Sequence, residues 1–265
     1  MSERLSRAAR QQILKDDAPW VGKPLAMGGL DRALQANTRH LALLLSDTRE
    51  RRRASQAAMF ALRLLDATAA SGIKAPAACA KGCSHCCRTL ITATIPEILR
   101  LARAIKGRDG IVKRVADAAA RSKDIAQSAP NSTRVVCPIL EENLCSQYAA
   151  RPIVCRSTVS SSRAACVRIF DQDHPEAIPS VPPAPEIRAT IVLMLQTALR
   201  LAGLPHQNYE LTQGLAIALA DDGAEARWLS GEPMFAAAEI DQADTRPSRL
   251  AEMAERLAAA IQPSL

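Results

Sequence analysis

The stretch CAKGCSHCC at residues 79–87 holds four of the eight cysteines in this chain of 265 residues. The remaining four are Cys137, Cys145, Cys155 and Cys166. No cysteine lies before residue 79 or after residue 166, a confinement that random scatter does not produce. We therefore expect the eight thiols to act together and to fix the centre of the fold.

The sequence on either side of this stretch is typical of α-helices. Ala, Leu, Ile and Arg are abundant, and aromatic residues make up only 3% of the chain. Apolar residues recur at helical spacing over residues 30–72, and Gly72 suits a helix end. Thr94, Pro96 and Glu97 indicate the start of another helix. We predict a mainly α-helical, irregular fold in which a central cysteine-rich, metal-binding segment staples the loops between helices.

Metal binding explains the cysteines better than disulfides or catalysis. The N-terminal residues MSERLSRAARQQILKDD lack the apolar core of a secretory signal, so we expect a cytoplasmic protein with reduced thiols. No thioredoxin-like context surrounds the cysteines, and no motif links any of the four histidines to one of them as a base. Cys83 and Cys86 have the Cys-x2-Cys spacing of a metal site, and a second group of cysteines follows downstream.

All eight cysteines are candidate ligands for Zn²⁺ or iron. The candidates are Cys79, Cys83, Cys86, Cys87, Cys137, Cys145, Cys155 and Cys166. Eight thiolates suit two four-coordinate ions, one ion with spare cysteines, or an iron–sulfur cluster. His85 is the best non-sulfur candidate, although an exposed loop residue is the commoner role for such a histidine.

Three residues near the second group of cysteines have two interpretations each. Arg151 and Arg156 either hydrogen-bond to metal-bound sulfur or lie on the surface. Tyr148 is expected in the core or as a hydrogen-bonded strut rather than as a ligand.

The charge distribution bears on the partners of the protein. Residues 71–170 contain 16 Lys and Arg against 6 Asp and Glu, whereas residues 171–265 contain 6 against 14. The basic centre can balance metal-bound thiolates and dock the acidic last third. Nucleic acid is disfavoured as a partner because interleaved aromatic residues are lacking. Residues 189–204, the most apolar stretch, are too few to cross a bilayer, so we expect no membrane partner.

The segments CAKGCSHCC and IPEILRLA, followed by CPILEENLCSQYAARPIVCR, resemble the YkgJ-type cysteine-cluster proteins, named for a zinc- or iron-chelating CxxCxxCC domain. The resemblance covers residues 75–170. It implies chelation by the first seven cysteines, and Cys166 matches a looser trailing cysteine. Three residues separate Cys79 from Cys83 where the family label has two, which makes Cys79 the least supported ligand.

The same patterns divide the chain into segments. Further helices are expected near residues 109–128, 186–203, 208–221 and 247–262. The arginine run at 49–53 is expected on a solvated helix face, and five prolines predict a semi-rigid connector. The segments are an N-terminal helical segment (1–72), a cysteine-cluster metal-binding domain (73–172), the connector (173–186) and an acidic C-terminal helical segment (187–265), all packed as one unit.

The sequence thus predicts a metal-chelating protein with a structural or metal-handling role, whose partners are metal ions and another protein. Flagellin lysine methylases carry a similar cysteine cluster, so the alternative is a metal-dependent protein-modifying enzyme, for example one with a methylase-like activity. The lack of a Gly-rich nucleotide loop and of a paired acid/base motif weighs against an enzyme. A nucleic-acid-binding regulator is the weakest alternative.

Overall fold

The structure is a computed structural model that describes residues 6–27, 29–125, 129–240, 248–262 and 265. Within these residues the chain forms eleven α-helices and four two-residue strands. The helices are α1 (Arg7–Asp17), α2 (Arg32–Ser46), α3 (Arg53–Gly72), α4 (Ile95–Ile105), α5 (Asp109–Ser122), α6 (Ile153–Ser157), α7 (Arg163–Asp171), α8 (Ala184–Leu201), α9 (Leu211–Ala220), α10 (Ala224–Leu229) and α11 (Ser248–Ile261). The strands are β1 (Thr92–Ala93), β2 (Leu140–Glu141), β3 (Leu144–Cys145) and β4 (Tyr209–Glu210). The predicted mainly α-helical, irregular fold is confirmed.

The strands form two small antiparallel ladders. β1 pairs with β4, with Thr92 opposite Glu210, so the starts of α4 and α9 lie side by side. β2 and β3 form a hairpin whose turn residues, Glu142 and Asn143, have φ values of 49° and 62°. Asparagine tolerates this left-handed conformation, which a tight hairpin turn requires. The hairpin ends at Cys145 and so presents one of the candidate ligands.

One hydrophobic core joins the helices on both sides of the cysteine-rich segment. α8 packs against α2, α3, α6 and α11, and α4 packs against α3 and α9. The fully buried side chains of this core include Leu34, Ile98, Ile153 and Leu195. The cysteine-rich segment is therefore held by helices from before and after it in the chain. The segment boundaries at residues 72, 172 and 186 stay predictions.

The arginine run at 49–53 differs from its prediction. Only Arg53 lies in a helix, and the rest of the run forms the turn between α2 and α3. The carboxylate of Asp47 accepts hydrogen bonds from the backbone N–H of Arg49 at 3.1 Å and from its guanidinium at 2.8 Å. These bonds fold the backbone into a turn, so the predicted helix is wrong for this run, whereas its predicted exposure to solvent is confirmed at Arg49, Arg51 and Arg52.

The close contact between α4 and α9 gives a stability prediction. A Cβ atom at Gly214 of α9 would lie 2.6 Å from Ile98 Cδ1 of α4. We expect Gly214→Ala to lower the free energy of unfolding by about 1–3 kcal/mol, because overpacking forces the helices apart. The measurement is urea-induced unfolding.

Gly110 of α5 is the matched control. The nearest atom to a Cβ at this position is Arg114 Nη1, at 3.8 Å. Gly110→Ala is therefore expected to be neutral or to stabilise by up to about 1 kcal/mol, since alanine is the better helix former. Equal stability of the two variants would contradict the tight contact at Gly214.

Candidate metal centre

The cysteine-rich stretch at residues 79–87 lies against the cysteines that follow later in the chain. Cys86 and Cys87 lie on the 3-10 helix His85–Arg88, and the backbone C=O of Cys87 accepts a hydrogen bond from the N–H of Cys137 at 2.7 Å. The β2–β3 hairpin then returns the chain to Cys145. Segments that are far apart in the sequence are thereby held together by main-chain contacts, which do not depend on a bound ion.

A second contact ties the start of the cysteine-rich stretch to the loop between α6 and α7. The backbone N–H of Ala78 donates to the C=O of Ser160 at 2.7 Å, and the N–H of Ser160 donates to Cys79 Sγ at 3.4 Å. This loop leads into α7, where Cys166 is buried with Ile169 and Phe170. Cys155 and Cys166 both lie on short helices, α6 and α7, which the helical spacing in the sequence did not predict.

Five thiols form what we call the central group: Cys86, Cys87, Cys137, Cys145 and Cys155. Burial raises the pKa of Cys155, and the charges of Cys137, Cys86 and Cys145 raise it further. Burial likewise raises the pKa of Cys137 to about 11, with added contributions from Cys145 and Cys86. A hydrogen bond with Cys87 is the largest cause of the raised pKa of Cys86. These mutual effects show that the five thiols are neighbours and that an unpaired thiolate is disfavoured at Cys86, Cys137 and Cys155.

The other three thiols, Cys79, Cys83 and Cys166, form what we call the outer group. Burial raises the pKa of Cys166, and the charges of Cys79, Cys83 and Cys86 raise it further, whereas a hydrogen bond with Ser160 lowers it. Cys86 also packs against the apolar side chains around Cys166. The two groups are therefore adjacent and meet at Cys86.

Arg151 is the basic residue that faces the central group. Its guanidinium lowers the pKa values of Cys86 and Cys155, and it stacks on the ring of Tyr148 at 3.7 Å. Arg151 Nε is buried and has no hydrogen-bond partner among the described residues. A buried, unpartnered N–H donor beside thiols suits sulfur atoms that become anionic when they bind a metal.

The neighbours of Arg151 differ from their predictions. Arg156 forms an ion pair with Asp66 of α3 at 2.6 Å and donates to the backbone C=O of Arg151 at 3.0 Å, so it fixes the backbone. Tyr148 is 65% exposed, and the prediction of a core or strut role was wrong. The guanidinium of Arg151 stacks on the exposed ring of Tyr148.

Glu97 connects the start of α4 to the helix that carries Cys155. The predicted helix start is confirmed, because Thr94 and Glu97 form a capping box. Glu97 is buried; Oε2 accepts from Thr94 N–H and O–H at 2.9 and 2.8 Å, and Oε1 accepts from the N–H of Ile153 at 2.8 Å. Ile153 begins α6, so this carboxylate positions Cys155. Sequence reasoning saw only the cap and missed this second contact.

His85 has an acidic partner that the sequence did not indicate. His85 Nδ1 lies 2.7 Å from Asp171 Oδ2, at the end of α7, and its side chain is only 19% exposed. Arg88 Nε lies 3.7 Å from the other oxygen of Asp171. The histidine is therefore an oriented, largely buried residue rather than an exposed loop residue.

The donor set suits Zn²⁺ or iron by its chemistry. All eight cysteines are free thiols, one exposed, one buried and six partly buried. Within the described ranges, no three Cys, His, Asp or Glu side chains already converge on a point where they would hold one ion. Neighbouring thiol side chains and the unpartnered N–H of Arg151 fit a thiolate site, and binding would require the thiol side chains to close around the metal.

The position of Arg151 gives a prediction about metal affinity. Arg151→Met keeps the apolar stem but removes the charge, and we expect metal affinity to fall by about 10–100-fold, as for other groups that support metal ligands. Competition with a chromophoric chelator measures the affinity. Arg163→Met, at an exposed position of α7, is the control and should bind as the wild type does. Equal affinities of the two variants would contradict a role for Arg151 at the thiols.

Comparison with known proteins identifies the central segment. Residues 78–177 match the family CxxCxxCC, described as a putative zinc- or iron-chelating domain, and the match includes all eight cysteines. The resemblance to the cysteine-cluster family is confirmed for this segment, which is less than half of the chain. No curated protein and no solved structure matches the chain. Among the described helices, none combines the length and the apolar character needed to cross a bilayer.

Proposed function

We propose that this protein binds Zn²⁺ or iron through cysteines from two separated stretches of the chain, residues 79–87 and residues 137–166. The match of residues 78–177 to the zinc- or iron-chelating CxxCxxCC domain supports this proposal. The hydrogen bond from Cys137 to Cys87 is the observation that supports this most, since it holds the stretch at residues 79–87 against the cysteines that follow later in the chain. The proposed ligands come from all eight cysteines: Cys79, Cys83, Cys86, Cys87, Cys137, Cys145, Cys155 and Cys166.

The residues around the thiols have distinct tasks in this proposal. The bound metal supplies a positive centre that several thiolates share. Glu97 places α6 and hence Cys155, and Arg151 balances negative charge on Cys86 and Cys155. The N–H of Ser160 supports the sulfur of Cys79. Backbone contacts thus bring the ligands near each other, and the metal fixes their side chains.

The exposure of the thiols supports both a structural and a metal-handling role. Partial burial raises the pKa values of Cys155 and Cys137, as in a closed structural site. Cys79 is exposed, so a chelator or a protein partner can reach its sulfur. The free thiols favour a reducing compartment, and we propose a cytoplasmic location on that ground.

Metal analysis of paired variants tests this function. We expect wild-type protein prepared without oxygen to contain about one to two equivalents of zinc or iron. Cys86→Ser/Cys87→Ser should lose most of this metal, whereas Ser84→Ala in the same loop should keep it. Wild-type protein that neither contains metal nor takes it up from solution would overturn the proposal.

A metal-dependent protein-modifying enzyme is the second candidate, because a cavity lies beside the central group. The cavity, of about 160 Å³, is lined in part by Thr89 and Pro138, which closely follow Cys87 and Cys137. Lys123 also lines it. A melting temperature that rises with S-adenosylmethionine in the wild type, but not in Cys86→Ser/Cys87→Ser, would support this candidate. No rise at high concentrations would contradict a methylase that uses this cofactor.

A further inference from the structure

The cavity of about 160 Å³ lies between the end of α5, the start of α9 and residues 237–240. Of the described residues that line it, none is a cysteine, so the cavity is a site of its own beside the thiols. A cavity of about 150 Å³ accommodates a molecule of the size of benzene. The space therefore suits a small ligand of about six to eight non-hydrogen atoms.

Hydrogen bonds between distant segments fix the walls of this cavity. Gln213 of α9 donates through Nε2 to the backbone C=O of Ala119 at 2.7 Å and to Ser122 Oγ at 3.1 Å, which joins α9 to α5. The N–H of Ile240 donates to the C=O of Asn208 at 3.3 Å, beside β4. The cavity is therefore formed before a ligand binds, as is usual for small-molecule sites.

Two of the charged residues that line the cavity offset each other. The carboxylate of Glu210 accepts hydrogen bonds from the N–H groups of Thr212 at 3.0 Å and of Gln213 at 2.7 Å, which fix its position. Arg134 is the basic residue on which the charge of Glu210 acts, and both side chains are half-buried. Their opposite charges leave this part of the wall close to neutral.

The other two charged residues of the wall, Lys123 and Glu239, are not paired. Both are exposed, and neither forms an ion pair with any residue that the structure describes. Lys123 directly follows α5, and Glu239 directly follows the 3-10 helix Ala236–Ala238, so the two charges come from different segments. An unpaired ammonium and an unpaired carboxylate around one small cavity are complementary to a ligand that carries both charges.

We propose that this cavity binds a small free α-amino acid with an apolar side chain. The carboxylate of the ligand contacts Lys123, its ammonium contacts Glu239, and its side chain lies among Leu90, Val135 and Ile240 of the wall. This site goes beyond the proposed metal binding and does not depend on it. S-Adenosylmethionine carries the same amino and carboxylate groups, so the experiment compares both molecules.

Isothermal titration calorimetry of the full-length protein with L-valine tests this site. We expect L-valine to bind about fivefold more tightly than 3-methylbutanoate, which lacks the ammonium, and 2-methylpropylamine, which lacks the carboxylate. Fivefold is about the upper value for one exposed ion pair. Lys123→Met and Glu239→Gln should each weaken the binding of L-valine by about fivefold, and the double variant by about 25-fold. Lys113→Met, at an exposed position of α5 outside the cavity wall, is the control and should bind as the wild type does.

The outcomes separate this inference from the proposed function. No binding of L-valine at millimolar concentration, equal binding of L-valine and both analogues, or equal affinities of wild type and double variant would overturn the amino-acid site. Binding of S-adenosylmethionine without binding of L-valine would also overturn it, whereas displacement of L-valine by S-adenosylmethionine would support recognition of the shared groups. Metal content is measured on the same samples and should be equal in all of them. A metal-free wild type that binds L-valine would overturn the proposed function and leave this site intact.

Discussion

Removing the metal is expected to lower the free energy of unfolding by about 4 kcal/mol, the value for a cross-link that closes a loop of about 50 residues. The loop in question runs from Cys87 to Cys137, and a shared ion closes it as a covalent bridge would. For a chain of this size, this loss corresponds to a melting temperature lower by about 8–16 °C. Thermal unfolding before and after chelation measures the change, and added Zn²⁺ or iron should reverse it.

Cys86→Ser/Cys87→Ser is the control for this prediction. Its melting temperature should already be low and should not respond to the chelator. An equal fall in the melting temperatures of wild type and variant would show that the chelator does not act through a metal bound by Cys86 and Cys87. Unchanged melting of a wild type proven to lose its metal would contradict a structural role, although not metal binding.

Glu97→Ala is expected to cost about 3–5 kcal/mol of stability, because buried N–H groups without an acceptor cost about 1–3 kcal/mol each. The variant removes the acceptor of Thr94 N–H and of Ile153 N–H. It should also weaken metal binding, since Ile153 begins the helix that carries Cys155. Glu97→Gln retains one carbonyl oxygen and should cost less. Equal stability of wild type and Glu97→Ala in urea would contradict the link between α4 and α6.

The same carboxyl group gives a pH dependence with a defined sign. Burial raises the pKa of Glu97 in the folded protein above its ordinary value of 4.5. Folding is therefore favoured by this group below that value, and the contribution is lost as the pH rises through the folded-state pKa. The stability of metal-free wild type relative to Glu97→Gln should fall from acidic to neutral pH. A relative stability that increases over this interval would contradict the direction of the shift.

The general fold and the location of the site could be predicted from the sequence, since both depend on local patterns. Apolar periodicity and the Thr94–Glu97 cap indicated helices, and the confined cysteines indicated one shared centre. The helices around Cys155 and Cys166 were missed because they are short. Their placement depends on contacts between distant segments, such as Glu97 with Ile153.

The directions of individual side chains were not predictable from spacing. Arg156 directly follows Cys155 and Arg151 lies four residues before it, yet Arg151 faces the thiols and Arg156 pairs with Asp66. Likewise, Asp171 and His85 are brought together only by the packing of α7. Such pairings arise from tertiary structure, which a single sequence does not display.

The metal content of wild-type protein purified without oxygen, together with its visible spectrum and thiol reactivity, tests the central claim most directly. We expect about one to two equivalents of metal, colourless if zinc and coloured if iron, with thiols that react fully only after chelation. A metal-free protein whose thiols all react at once, and whose melting temperature does not respond to added Zn²⁺ or iron, would contradict the account.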